Sequence, residues 1–327
     1  MTLTTYHLEF RAVARTPLEL DDQAGSQLRG ALVGALWQRF CANHQARTCA
    51  ECPLAAACPV AALIAPMRAE GEPGGDQRPR PYVTRPPQGG RYRPGDPLAF
   101  GLALFGPAAQ LFPYVVMAAQ GVEQSGLGRP LAANGGRRGL IQIDEIAAVS
   151  PLDGARQPLL AKGAGMVASP GLAVAAADVA AFAATLPAHA LTLQFLTPLR
   201  LIDGKQLVKR IALRPLVQRL MRRLDDLSIA YGAGPLGLDF RALLDVAERA
   251  VVIEDRTRWV DVASYSARQG GRTPIGGLVG QATFAGDLAP LRELLVWGSL
   301  VHIGKNAVKG DGCYRILADQ RALAAAH

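Results

Sequence analysis

Residues 301–312 read Val301-His302-Ile303-Gly304-Lys305-Asn306-Ala307-Val308-Lys309-Gly310-Asp311-Gly312. Three glycines let backbone N–H groups approach an anion closely, and two lysines supply charge, so the run is suited to an RNA phosphate backbone. It is not a P-loop. That pattern needs four residues between its glycines and Ser or Thr after the Lys, whereas Gly298 to Gly304 leaves five and Asn306 follows Lys305. The plain alternative is a glycine-rich turn. The run is preceded by a helical stretch, Leu288 to Trp297, and followed by a short strand, Cys313 to Leu317. The unit to look for elsewhere is therefore helix, glycine-rich loop, strand.

The same unit occurs earlier: Leu111 to Val122 reads as a helix, Gly121 to Gly139 as a glycine-rich basic loop, and Leu140 to Val149 as a strand. Working back, Leu3 to Arg15 alternates polar and apolar side chains as a strand does. Asp21 to Ser26 is a turn-rich break, and Leu28, Leu32, Leu36 and Phe40 mark an amphipathic helix over Gln27 to Phe40. Pro66 to Pro97 is loop with a hairpin, and Pro97 to Phe105 a strand. In the second half, strands are expected at Ala190 to Leu196, Val251 to Ser264 and Gly276 to Gly286, and helices at Gln206 to Tyr231 and Phe240 to Ala250. Ser150 to Ala188, low in charge, connects the halves. Both halves share one order of elements without a strict sequence repeat. The class is α+β, with domains at 1–188 and 189–327.

The 327 residues suffice for two such domains. Half are hydrophobic and 19% charged, which argues against extensive disorder. The formal charge of +8 favours a polyanionic partner, against the plain reading of a mildly basic protein. Met1 to Glu9 has no apolar signal region, and Gly171 to Leu193 is broken by Asp178, Pro187 and His189. A cytoplasmic protein with no membrane partner is expected.

Gly232-Ala-Gly234-Pro-Leu-Gly237 matches a dinucleotide fingerprint literally, but a helix precedes it and Pro235 lies inside it, so it reads as a helix-ending turn. Lys205, Lys209, Arg210, Arg214, Arg219, Arg222 and Arg223 form either a phosphate-contacting face or a solvated one. Cys41, Cys49, Cys52 and Cys58 crowd one stretch, and a Cys-x-x-Cys knuckle is half of a tetrahedral zinc site. Structural zinc is weighed against free cysteines and an iron–sulfur cluster, with His44 able to replace one thiolate. Histidines are few, and His44 and His302, read as lying in polar loops, are the acid–base candidates against structural roles. No zincin motif, serine elbow or acidic two-metal cluster occurs, so metal-dependent nuclease chemistry is not favoured.

Several stretches together resemble one family, the CRISPR repeat-processing endoribonucleases of the RAMP superfamily. They are Ser26-Gln-Leu-Arg-Gly30, Cys49-x-x-Cys52-Pro-Leu with Cys58-Pro, Arg78-Pro-Arg80-Pro-Tyr82, Gly126-Leu-Gly-Arg129, Phe195-Leu-Thr-Pro-Leu-Arg200, Tyr265-Ser-x-Arg268-Gln269, Gly276-Gly-Leu-Val-Gly280 and the closing Val301-His-Ile-Gly-Lys305 with Gly310-x-Gly312. Each is weak alone, and the ordered set is specific. The resemblance implies two tandem ferredoxin-like domains, related to RNA-recognition folds, with a C-terminal glycine-rich loop on repeat RNA. It implies metal-independent cleavage, in which the ribose 2′-OH attacks the adjacent phosphate and leaves a 2′,3′-cyclic phosphate and a 5′-OH; no cofactor is needed for catalysis. By position it implies a catalytic role for His44, near the end of the first helix, with His302 second. Arg29, Arg268, Lys305 and Lys309 are then phosphate-contact candidates, with Arg137 and Arg138 from the first basic loop. Asp311 stands where the family usually has an apolar residue, and an acid there would repel phosphate unless paired. The alternative function on the same fold is a non-catalytic RNA-binding subunit among other CRISPR effector subunits.

Overall fold

The computed structural model describes residues 2–68, 78–163, 166–266 and 271–317. Its backbone divides into two compact units, one essentially Leu3–Ala173 and the other essentially Val174 onward. The division thus falls earlier than residue 188. Helix α4 (Ala176–Ala184), in the stretch read as a connection, packs on a helix of the second unit.

The first unit runs β1 (Thr5–Ala14), α1 (Ala24–Phe40), α2 (Pro59–Ile64), β2 (Tyr82–Arg85), β3 (Pro97–Phe105), α3 (Phe112–Ser125), β4 (Ile141–Val149) and β5 (Arg156–Ala161). All pairings along β2-β3-β1-β4-β5 are antiparallel. Leaving out α2 and the added edge strand β5, this is the β-α-β-β-α-β order of a ferredoxin-like fold. Phe10 and Phe100 are register partners on the core side, their rings stacked 4.8 Å apart. Helices α1 and α3 pack together, α1 also against β2 and α3 against β4. On β1, β4 and β5, Arg156 bridges Glu9 at 2.7 Å and Glu145 at 2.8 Å.

The second unit continues after α4 with β6 (Ala190–Leu199), α5 (Leu213–Tyr231), α6 (Phe240–Arg249), β7 (Val251–Val260), β8 (Gly277–Ala285), α7 (Arg292–Val301) and β9 (Tyr314–Leu317). Its sheet order, β7-β8-β6-β9, repeats the first topology. Alternation puts Leu191, Leu193 and Phe195 of β6 in the core. On α5, Leu213, Leu216, Val217, Leu220, Leu224 and Leu227 recur at helical spacing and are all buried.

Helix α5 is shorter than the sequence reading. Ile202–Asp203 pairs with Gln206–Leu207 around Gly204 (φ 59°), and the helix starts at Leu213 with Pro215 in its first turn, where a missing N–H costs nothing. Lys205, Lys209 and Arg210 therefore lie off the helix. The segment after α5 is the expected turn: the Ser228 hydroxyl donates to the Gly234 carbonyl at 2.6 Å. Among the described residues no helix is long and apolar enough to cross a membrane.

Candidate nucleic-acid interface

The glycine-rich loop is a built structure, not a slack turn. Helix α7 ends at Val301, whose carbonyl accepts from Arg223 Nε at 2.9 Å and Arg223 Nη2 at 2.7 Å. These bonds satisfy a carbonyl that the helix leaves unpaired. Burial pushes the Arg223 guanidinium down to about 10. The next residue, His302, has φ 58° and ψ 165°, a region used essentially by glycine. Ile303 N–H then donates to the Gly312 carbonyl at 3.1 Å, and Lys305 N–H to the Arg200 carbonyl at 3.0 Å. Gly312 N–H donates to the Pro198 carbonyl at 3.0 Å. Thr197 fastens the loop from β6: its hydroxyl donates to the Gly310 carbonyl at 2.7 Å and accepts from Cys313 N–H at 2.9 Å.

Lys305 is exposed and Lys309 half-buried. The His302 ring is wholly buried. This corrects the reading of His302 as a side chain in an open polar loop: it follows the last residue of α7 and is turned inward. Arg268 lies outside the described residues.

Asp311 is also turned inward, at 8% exposure. Burial raises its carboxyl to about 7, against the opposing pull of the Asn306 hydrogen bond and Lys309. The repulsion expected of an exposed acid is thus reduced: near neutral pH much of this carboxyl is protonated and covered. The pKa is raised on folding, so between pH about 4 and 7 the folded chain holds a proton that the unfolded chain has lost. Stability falls as pH rises through that window and levels above it. Asp311→Asn is expected to flatten this slope and to gain stability at pH 8, on the order of a few kcal/mol. Urea unfolding at pH about 4.5 and 8 measures it.

Beside the loop stands a cation–aromatic group that the sequence reading missed. Trp259 of β7 has the Arg200 guanidinium 5.9 Å and the Lys209 ammonium 5.8 Å from its ring centroid. Its indole N–H donates to Asp261 at 2.8 Å, which fixes the ring. Arg200 also donates to the Gly276 carbonyl at 2.9 Å. The signal was available: Trp is rare here, and Arg200 closes a quoted motif. The basic helix reads differently. Arg214 pairs with Glu248 at 2.6 Å, Arg219 donates to the Ile202 carbonyl at 2.6 Å, and Arg223 holds α7. Most of its cations make internal contacts; Arg222 is exposed.

In the first unit, Arg29 on α1 is half-buried, and its Nε is covered with no hydrogen-bond partner among the described residues. Burial first, and the Arg29 guanidinium second, hold Arg80 below its ordinary value. Arg80 Nε donates to the Ile64 carbonyl at 2.8 Å. Two guanidinium groups whose charges act on one another in this way favour an anion there. Arg80 was quoted in a motif but given no role; its signal is the Pro-Arg-Pro run, which fixes extended backbone. Arg137 and Arg138 are exposed beside a turn through Gly135 (φ 63°) and Gly136 (φ 75°).

His44 lies just beyond the end of α1 and is exposed. Its ring meets Trp37 edge to face, centroids 4.4 Å apart at 82°. The packing orients the imidazole while leaving it open to solvent. In the same segment, Cys41, Cys49, Cys52 and Cys58 are half-buried free thiols. Burial, then the three neighbouring thiols, push the Cys49 thiol up.

Known proteins fit this arrangement in both halves. Residues 3–172 match a family described as an N-terminal domain. Residues 193–314 match the CRISPR-associated endoribonuclease Cas6. No curated protein matches by sequence. Among solved structures, a partial Cas6-RT-Cas1–Cas2 complex aligns at TM-score 0.62 and 12% identity over 98% of this chain. The chain spans about half of that one, 47%. A Cas6 product complex aligns at TM-score 0.56 and 16% identity, covering 96% of this chain and 100% of the other. The Cas6 of Thermus thermophilus aligns at 0.53 and 15%, covering 97% and 100%. At these identities the structural likeness shows the fold, two tandem ferredoxin-like units. The match to the CRISPR-associated endoribonuclease Cas6 thus rests on residues 193–314, and that to the N-terminal-domain family on residues 3–172, over one shared fold.

Proposed function

We propose that this chain matures CRISPR RNA: it binds repeat RNA in the precursor transcript and cuts it by attack of a ribose 2′-OH on the adjacent phosphate. The observation that carries cleavage, beyond binding, is His44, an exposed imidazole packed edge to face on Trp37. Such a group is placed to take the 2′-OH proton or to give one to the departing 5′-oxygen. Cations stabilise the charge that develops on the pentacovalent phosphorus. In the first unit, Arg29 and Arg80 are suited to phosphate. In the second, Lys305 and the Arg200–Lys209–Trp259 group supply charge and one aromatic face on which a splayed base can stack. The reading needs no metal in the chemical step. It extends to other CRISPR proteins as partners, since one structure of similar fold is a partial Cas6-RT-Cas1–Cas2 complex.

A repeat RNA carrying a 2′-deoxyribose at the attacking position tests the chemistry. It is expected to bind as the all-ribose RNA does and to remain intact; cutting of the deoxy substrate would exclude the mechanism. Binding should weaken steeply with salt. Lys305→Ala is expected to reduce the slope of log K against log salt by about 1 without changing which repeat is preferred. Filter binding over a salt series measures this.

A further inference from the structure

The segment joining α1 to α2, residues 41–58, has no core of its own: none of its residues is buried. Its least exposed positions are Cys41, Asn43, Ala46, Cys49, Cys52, Ala55 and Cys58, so all four cysteines belong to the inward-turned set. Its backbone bonds are local turns, such as Cys52 N–H to the Cys49 carbonyl at 3.3 Å and Cys58 N–H to the Ala55 carbonyl at 3.3 Å. All four cysteines line one cavity of about 450 Å³, floored by Trp37, Phe40, Val60 and Ile64. The Asn43 amide reaches Cys52 Sγ at 3.6 Å, the kind of N–H···S contact that supports a thiolate. A stretch that buries so little apolar area gains little from burial, and a metal or disulfides commonly replace a core in such a place.

We propose that Cys41, Cys49, Cys52 and Cys58 bind one structural zinc ion, which closes the 41–58 segment over the end of α1. Four soft sulfur donors select zinc over magnesium or calcium, which take oxygen ligands. Among the described residues no three ligating side chains are gathered tightly enough to hold an ion as they stand. Ligation at about 2.3 Å per Zn–S bond therefore draws the turns inward. Their local hydrogen bonding permits this without disturbing the sheet. Each thiol gives up its proton on binding, so affinity rises with pH. The assignment does not depend on the proposed cleavage, and its test uses no RNA.

The full-length protein, produced with zinc in the medium and gel-filtered, is analysed for metals and for intact mass. One zinc per chain is expected, with free-thiol mass after metal removal. Cobalt exchange should yield the visible bands of a tetrahedral thiolate site. Cys49→Ser should reduce zinc to near zero, while Cys313→Ser, altering the cysteine on the β9 side of the glycine-rich loop, should retain it. Trypsin gives a readout free of global unfolding: Arg47 is exposed within the segment. Cutting there is expected to be at least about tenfold faster in Cys49→Ser than in wild type, because loss of the ion raises the population of the opened segment. Wild-type protein without zinc, iron in its place, a disulfide mass, or full zinc in Cys49→Ser would each overturn the proposal.

Discussion

Gly312→Ala is expected to lower the melting temperature by about 10 °C and to abolish tight RNA binding. A Cβ at Gly312 would stand 1.7 Å from the Ile303 carbonyl oxygen, and φ is 67°. Relief requires moving main chain, which breaks the Ile303–Gly312 and Gly312–Pro198 bonds that form the loop. Steric overlap, positive φ and lost hydrogen bonds together cost about 3 kcal/mol or more, and each kcal/mol is worth about 2–4 °C in a domain of this size. Gly135→Ala is the control: φ is 63°, yet nothing lies within 4 Å of the added methyl. It should cost only about 1 kcal/mol, the strain of the left-handed region. Equal shifts in the two variants would mean that the Gly312 contact is not the constraint described.

His44→Ala is expected to slow cleavage about 10²–10⁴-fold while leaving repeat binding and stability almost unchanged. The side chain is exposed, and substitutions of that kind usually shift stability by about 0.5 kcal/mol or less. His302→Ala should behave in the opposite way. Its ring is wholly buried, so removal leaves a cavity and costs roughly 2–4 kcal/mol. Any loss of cleavage in that variant should track the unfolded fraction and be rescued at lower temperature. Single-turnover cleavage, binding and thermal unfolding, measured on both variants, separate the two roles. A His44→Ala enzyme that cuts at the wild-type rate would remove His44 from the reaction.

Much of the fold was legible because both periodicities were strong. The alternation in Leu3 to Arg15 became β1, and the four-residue spacing from Leu28 to Phe40 became most of α1. Where the reading erred, a local signal competed with charge. The basic run from Gln206 looked continuous with α5, but Gly204 turns a short hairpin, and the helix waits for Leu213. The connection from Ser150 to Ala188 hid β5 and α4, because Ala-rich sequence carries little periodic contrast.

The site was legible in residue type but not in orientation. Sequence marks His302 and Asp311 as polar members of a glycine-rich loop. It does not show that the loop folds back on Pro198, Thr197 and Arg200 and buries both. Nor does composition reveal that the Arg29 charge acts on Arg80, or that two cations converge on Trp259. These are long-range pairings that only tertiary structure sets.

The most direct test of the central claim is cleavage of a labelled repeat RNA, taken from the CRISPR array of the encoding organism, in excess EDTA. Zinc retention is measured in parallel, so that loss of a structural ion is not mistaken for a catalytic requirement. The account predicts cutting at one position in the repeat, with a 2′,3′-cyclic phosphate on one product and a 5′-OH on the other. Cleavage that stops in EDTA while zinc is retained, products bearing a 5′-phosphate, or tight binding with no cutting would contradict it, the last pointing to an RNA-binding subunit without catalysis.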